Sequence, residues 1–137
     1  MSQLTDAEKK ELIRKTIGAF NSRNLDLYFS YHTDEATSWE VYFEAPIRVK
    51  ESAEFTRAYW SAFPDAAVDT QQMWVSGNVV FVENIVSGTF RGEFLGRRPT
   101  GRRFLLREAV IFELAADKIS AVRIYMDRRT QEEQLGI

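Results

Sequence analysis

The chain has 137 residues, enough for one domain and too few for two separate cores. Its 18 Lys and Arg against 20 Asp and Glu leave a formal charge of −2, so no overall field draws a polyanion. With no cysteine and one histidine, a thiolate nucleophile, a disulfide, a cysteine zinc site and a polyhistidine metal site are all excluded.

The opening residues carry charge where a secretion signal would need an apolar stretch. No apolar run reaches the length of a membrane span, so a cytoplasmic protein is expected. Thr5-Asp6-Ala7-Glu8 has capping-box spacing and predicts a helix start. Leu12, Ile13, Ile17 and Phe20 then recur at helical steps and form one apolar stripe. Residues 21–24 break the pattern, and Leu25, Tyr28 and Phe29 predict a second, short helix. Residues 36–43 are aromatic and β-branched and predict a strand before Pro46. Helical spacing returns over residues 51–63 and stops at Pro64-Asp65.

Beyond residue 66 the pattern is strand and turn. Residues 68–75 and 79–87 flank Ser76-Gly77-Asn78 and predict a hairpin. A long strand is expected over residues 102–114, a turn at 115–118, a strand over 119–127 and a terminal helix over 129–135. The fold class is α+β, a strongly curved antiparallel sheet with three N-terminal helices covering one face. Apolar residues on both faces of the last strand predict a homodimer through the side opposite the helices.

Propagating the last hairpin outward from its turn places Leu114 opposite Ile119, Phe112 opposite Ala121, Val110 opposite Arg123, Glu108 opposite Tyr125 and Leu106 opposite Asp127. Glu108 would then lie on an apolar face, diagonal to Arg123 and Asp127. Two carboxylates, a guanidinium and a phenol at the end of such a surface suit general acid–base chemistry, because opposed environments split carboxyl pKa values. The same residues equally suit a structural Glu108–Arg123 ion pair with Asp127 capping the final helix.

His32, Trp39, Tyr59 and Phe90 are candidate pocket residues beside Tyr125, and Tyr42, Phe55, Trp60, Trp74 and Phe81 could add aromatic walls. A lone histidine at a helix end and aromatics that are simply core are the plainer readings. Arg97, Arg98, Arg102, Arg103 and Arg107 around Phe104 hint at an anionic partner such as RNA, but a solvated loop and strand edge explain them better at this net charge.

The order of Phe63-Pro64-Asp65, Ser87-Gly88-Thr89, Gly92-Glu93-Phe94-Leu95-Gly96, Pro99-Thr100-Gly101-Arg102, Lys118-Ile119, Asp127 and Gln134-Leu135-Gly136 resembles the SnoaL-like polyketide cyclases of the nuclear transport factor 2-like superfamily. The resemblance implies a curved sheet wrapped into a cone, helices closing its mouth, a largely apolar cavity and frequent dimers; no cofactor or metal is expected. It also implies that Asp127 serves as acid/base in an intramolecular aldol closure. The expected activity is therefore cyclase- or isomerase-type acid–base chemistry on a small apolar, carbonyl-bearing molecule, polyketide-like or steroid-like, with Glu108 or Arg123 tuning Asp127. The alternative is a non-catalytic ligand-binding or dimerisation module. Arginine between two carboxylates also resembles limonene epoxide hydrolases, although their Arg-x-Asp spacing is absent.

Overall fold

The computed structural model describes residues 4–137, so the first three residues of the expected charged start lie outside the described residues. Helix α1 (Asp6–Asn21) begins at the expected capping box: Thr5 Oγ1 accepts from the Glu8 amide at 3.1 Å, and Glu8 Oε1 accepts from the Thr5 amide at 2.9 Å. Helix α2 (Leu25–Ser30) is capped by Asn24, whose side chain accepts from the Leu27 amide.

Strand β1 (His32–Trp39) starts four residues earlier than the aromatic run suggests and stops at Trp39. Residues 40–43 close a turn instead, with the Phe43 amide donating to the Glu40 carbonyl at 2.9 Å. A two-residue strand β2 (Ile47–Arg48) and a 3-10 turn (Val49–Ser52) lead into helix α3 (Ala53–Ala62). Strands β3 (Ala67–Ser76), β4 (Val79–Thr89), β5 (Arg103–Ala115) and β6 (Lys118–Met126) follow, and helix α4 (Arg128–Leu135) ends the chain.

The six strands form one curved sheet in the order β2-β1-β6-β5-β4-β3, antiparallel except where β1 joins β6 in parallel. Helices cover the concave face. Ile13 of α1 packs with Val80, Val82, Phe112 and Val122, while Ala62 beside Phe63 packs with Val86 and Phe104. Strand alternation makes this possible, because Val80, Val82, Asn84 and Val86 of β4 all turn inward. The β3–β4 hairpin forms as expected, with Gly77 at φ +57 in the turn. Among the described residues no helix is long and apolar enough to cross a membrane.

The β5–β6 register departs from the expectation. Ala115 does oppose Lys118, and Leu114 does oppose Ile119, but the next pair is Glu113 with Ala121. Ser120 is an extra residue in β6, a β-bulge, and its hydroxyl donates to the Glu113 carbonyl at 3.1 Å. Glu108 therefore opposes Met126, Val110 opposes Ile124 and Phe112 opposes Val122. Since side chains alternate with period two, one inserted residue sends Arg123 and Tyr125 to the convex face, away from Glu108. There Arg123 pairs with Glu113, and Tyr125 packs on Trp39 with ring centroids 5.3 Å apart.

Gly92 lies where the loop after β4 touches the end of α3, and a Cβ there would meet the Ser61 carbonyl oxygen at 2.7 Å. Gly92→Ala should lower stability by about 1–3 kcal/mol in chemical denaturation, because backbone gives way less readily than a side chain. Gly18→Ala, in open space inside α1, should raise it by about 0.5–1 kcal/mol.

Candidate active site

Between helices and sheet lies a cavity of about 120 Å³. One water needs only roughly 10–15 Å³ of such space, so the cavity has room for a small organic molecule. Ile17 and Phe20 of α1, Phe55 and Tyr59 of α3, and Val110, Phe112, Val122 and Ile124 of the sheet make most of its wall apolar. The apolar stripe of α1 thus serves two ends: Ile13 is buried in the core, while Ile17 and Phe20 face the cavity.

Two carboxylates enter this wall. Glu108 sits on the inward face of β5, directly across from Asn84 on β4, and the Asn84 Nδ2 donates to Glu108 Oε2 at 2.9 Å. Glu40 stands on the turn that ends β1 and reaches the same cavity. Among the described residues, no lysine, arginine or histidine lines it.

Burial without a counter-cation destabilises carboxylate charge. Desolvation pushes the Glu40 carboxyl up to about 8, and the charge of Glu108 adds to the shift. Desolvation also raises the Glu108 carboxyl, while the Asn84 amide opposes that rise by donating to its charged form. Both carboxyls are thus shifted towards the neutral acid, and the charge of Glu108 is felt at Glu40. Three phenols also line the cavity. Burial, with both carboxylates nearby, keeps Tyr28, Tyr42 and Tyr59 well above the ordinary tyrosine value and hence protonated. Tyr42 donates to Gln131 Oε1 of α4.

Of the residues singled out in the sequence, Glu108, Tyr42, Phe55 and Tyr59 line the cavity. Asp127 does not. It is the exposed N-cap of α4, accepting from the Thr130 amide at 3.1 Å and the Thr130 hydroxyl at 2.8 Å, and those bonds hold its carboxyl below the usual range. The plainer expectation of a helix cap describes that geometry. Arg123 faces the convex side with Glu113, so the expected Glu108–Arg123 pairing is absent. Tyr125 and Trp39 stack outside the cone. Phe90 is fully buried against Phe63 at 5.4 Å, in the core rather than the cavity wall.

His32 is buried behind Tyr28, its ring centroid 4.7 Å away and its Nδ1 2.8 Å from the Tyr28 carbonyl. Burial depresses its pKa to about 4, so it is neutral and structural. The five arginines around Phe104 are exposed, and Arg107 pairs with Glu83. Glu40 and Asn84 escaped sequence reasoning. Their signal was a charged residue inside the run Trp39-Glu40-Val41-Tyr42-Phe43 and, in β4, a polar residue at the inward position between Val82 and Val86.

A family profile described as SnoaL-like polyketide cyclase matches residues 10–135. The chain belongs to this family. A search of curated protein sequences finds no significant match. Solved structures agree on the fold. AclR of Streptomyces galilaeus, a proposed hydroxylase, superposes with a TM-score of 0.85 at 20% identity, covering 96% of this chain and 98% of its own. IdmH of Streptomyces antibioticus, a proposed polyketide cyclase, gives 0.82 at 23% identity over 94% and 99% of the two chains. A proposed SnoaL-like polyketide cyclase from Jannaschia gives 0.87 at 17% identity over 98% and 97%. This SnoaL-like chain therefore has the cone fold of its family, with Glu40 and Glu108 in the hollow. Among the described residues no cluster of three or more histidine, aspartate or glutamate side chains is arranged to hold a metal ion.

The buried dyad has a stability signature. Glu40 loses its proton at about 8 when folded and near its ordinary 4.5 when unfolded. Between those values the folded chain holds a proton that the unfolded chain has released, so stability is fully present below about 4.5 and is lost as pH rises towards about 8. Glu40→Gln should flatten the fall in Tm across that window, leaving the smaller slope due to Glu108; an unchanged slope would place Glu40 in water.

Proposed function

We propose that the chain is an acid–base enzyme of cyclase or isomerase type, which moves a proton on a small apolar ketone held between Glu40 and Glu108. The observation that carries this reading is a pair of carboxyls in an apolar hollow that no cation lines among the described residues, both raised by desolvation, with an amide donated to Glu108 alone. Family membership supports the same class of chemistry.

In this mechanism ionised Glu108, its charge held by the Asn84 amide, takes a proton from the carbon next to the carbonyl. The C–H electron pair moves into the carbonyl, and the oxygen gains negative charge. Protonated Glu40 and the phenols of Tyr28 and Tyr59 supply donors for that oxygen. The enol formed then takes a proton back at another carbon in an isomerisation, or attacks a second carbonyl in a ring closure. Asp127 stays a helix cap in this scheme. The cavity alone, without transfer, would still make a ligand-binding module.

Hydrogen–deuterium exchange at the α-carbons of β-tetralone, followed by NMR, tests the mechanism. Wild type should accelerate exchange, Glu108→Gln should lose about 100-fold or more, and Asp127→Asn should retain the rate. The rate should decline as pH rises through about 8, where Glu40 gives up its proton. Ketone binding without accelerated exchange would replace this reading by the binding module.

The convex face supports a homodimer. Trp74, Phe81 and Ile111 lie in register across β3, β4 and β5, and Trp74 is 52% exposed. Such a row of large apolar groups fits burial against a second copy. Sedimentation should show a dimer at micromolar concentration that Trp74→Glu dissociates; a wild-type monomer would overturn this.

A further inference from the structure

Asn84 is out of place by local rules. Asparagine is disfavoured in strands, yet it occupies the middle of β4 between Val82 and Val86, on the inward face, and is only 1% exposed. Its Nδ2 is used on Glu108, but its Oδ1 is buried with no partner. Four other polar groups of the wall are matched within the protein. Thr16 donates to the Leu12 carbonyl at 2.8 Å, Ser52 to the Val49 carbonyl, Thr56 to the Ser52 carbonyl at 2.9 Å, and Tyr42 to Gln131. An unsatisfied buried acceptor is costly and is seldom kept without a function.

We infer that Asn84 Oδ1 is a specificity determinant that accepts a hydrogen bond from a hydroxyl on the bound molecule, so the natural ligand is a hydroxylated ketone rather than a bare one. This rests on the proposed reading of Glu108 as the ionised base. An ionised carboxylate only accepts, so the amide nitrogen must face it and the amide oxygen of this wall residue is left without a partner. The hollow then carries a definite polarity. The phenols of Tyr28 and Tyr59 offer donors to a ligand carbonyl, and Asn84 offers an acceptor beside the base. A site that hydrogen-bonds a ligand hydroxyl discriminates against the analogue without it, because its own buried group is then left unpaired.

Calorimetric titration of β-tetralone, its ring-hydroxylated isomers and the matching ring-fluorinated isomers tests this. Fluorine supplies a small polar substituent without a donor. Wild type should bind at least one hydroxylated isomer about tenfold or more tightly than the parent ketone and the fluorinated counterpart. In Asn84→Leu, close to asparagine in size, the ratio of affinity for the hydroxylated isomer to affinity for the parent ketone should fall to about one, whatever the variant does to binding of the parent ketone itself; circular dichroism checks the fold. Should leucine disturb the strand, Asn84→Val makes the same test with a strand-forming residue. A wild type indifferent to the hydroxyl, or a folded variant that keeps the preference, overturns the inference. The readout is separable from turnover: accelerated exchange without hydroxyl preference removes the role of Asn84 alone, and hydroxyl preference without exchange removes only the acid–base reading.

Discussion

Two carboxyl groups face one apolar hollow that no cation lines among the described residues, and much of the site follows from that constraint. A buried carboxylate without a counter-charge is expensive, and a second one nearby makes both worse. The cheapest state keeps a proton on one of them. Glu40, whose charge has no amide donor to hold it, keeps the proton more readily, and Glu108 is eased towards ionisation by Asn84. The difference between the two carboxyls therefore traces to a single amide on the neighbouring strand.

The backbone delivers those groups through two local irregularities. The first is the end of β1 at Trp39, where the following turn swings Glu40 over the cavity mouth instead of extending the sheet. The second is the bulge at Ser120, which divides the ionisable residues of the last hairpin between two environments. Glu113 and Arg123 meet on the partly solvated convex side, where an ion pair contributes little, and Glu108 is left inside without a cation. Had Arg123 followed the unbulged register it would have faced the hollow, neutralised Glu108 and removed its capacity to act as a tunable base. Asp127 lies just beyond the same strand and is taken up in starting α4.

The concave face combines a site with a core. Phe63, Phe90 and Phe104 pack closely at one end, and Ile13, Val80 and Ile119 at the other, so the hollow between is held open by ordinary close packing around it. Polar residues inside otherwise apolar strands and turns, Asn84 and Glu40 above all, break the local preference where chemistry or binding needs them. The burial of Glu40 stores instability that grows as pH rises.

Periodicity and turn chemistry were enough to establish the helices, the capping box, the β3–β4 hairpin and the α+β class, because each depends on neighbours a few residues apart. The motif order also identified the family that the profile match shows. Glu108 could be read as an inward carboxylate from strand alternation alone. The partners of Glu108 could not. One extra residue at Ser120 costs little locally and carries no distinct sequence signal, yet it reverses the face of every residue after it in β6. Glu40 was equally hidden, since its burial depends on helices and strands distant in the chain closing over one turn. Local sequence thus determined which elements form, whereas the tertiary structure decided which ionisable groups meet, because desolvation and register are properties of the assembled sheet and its covering helices.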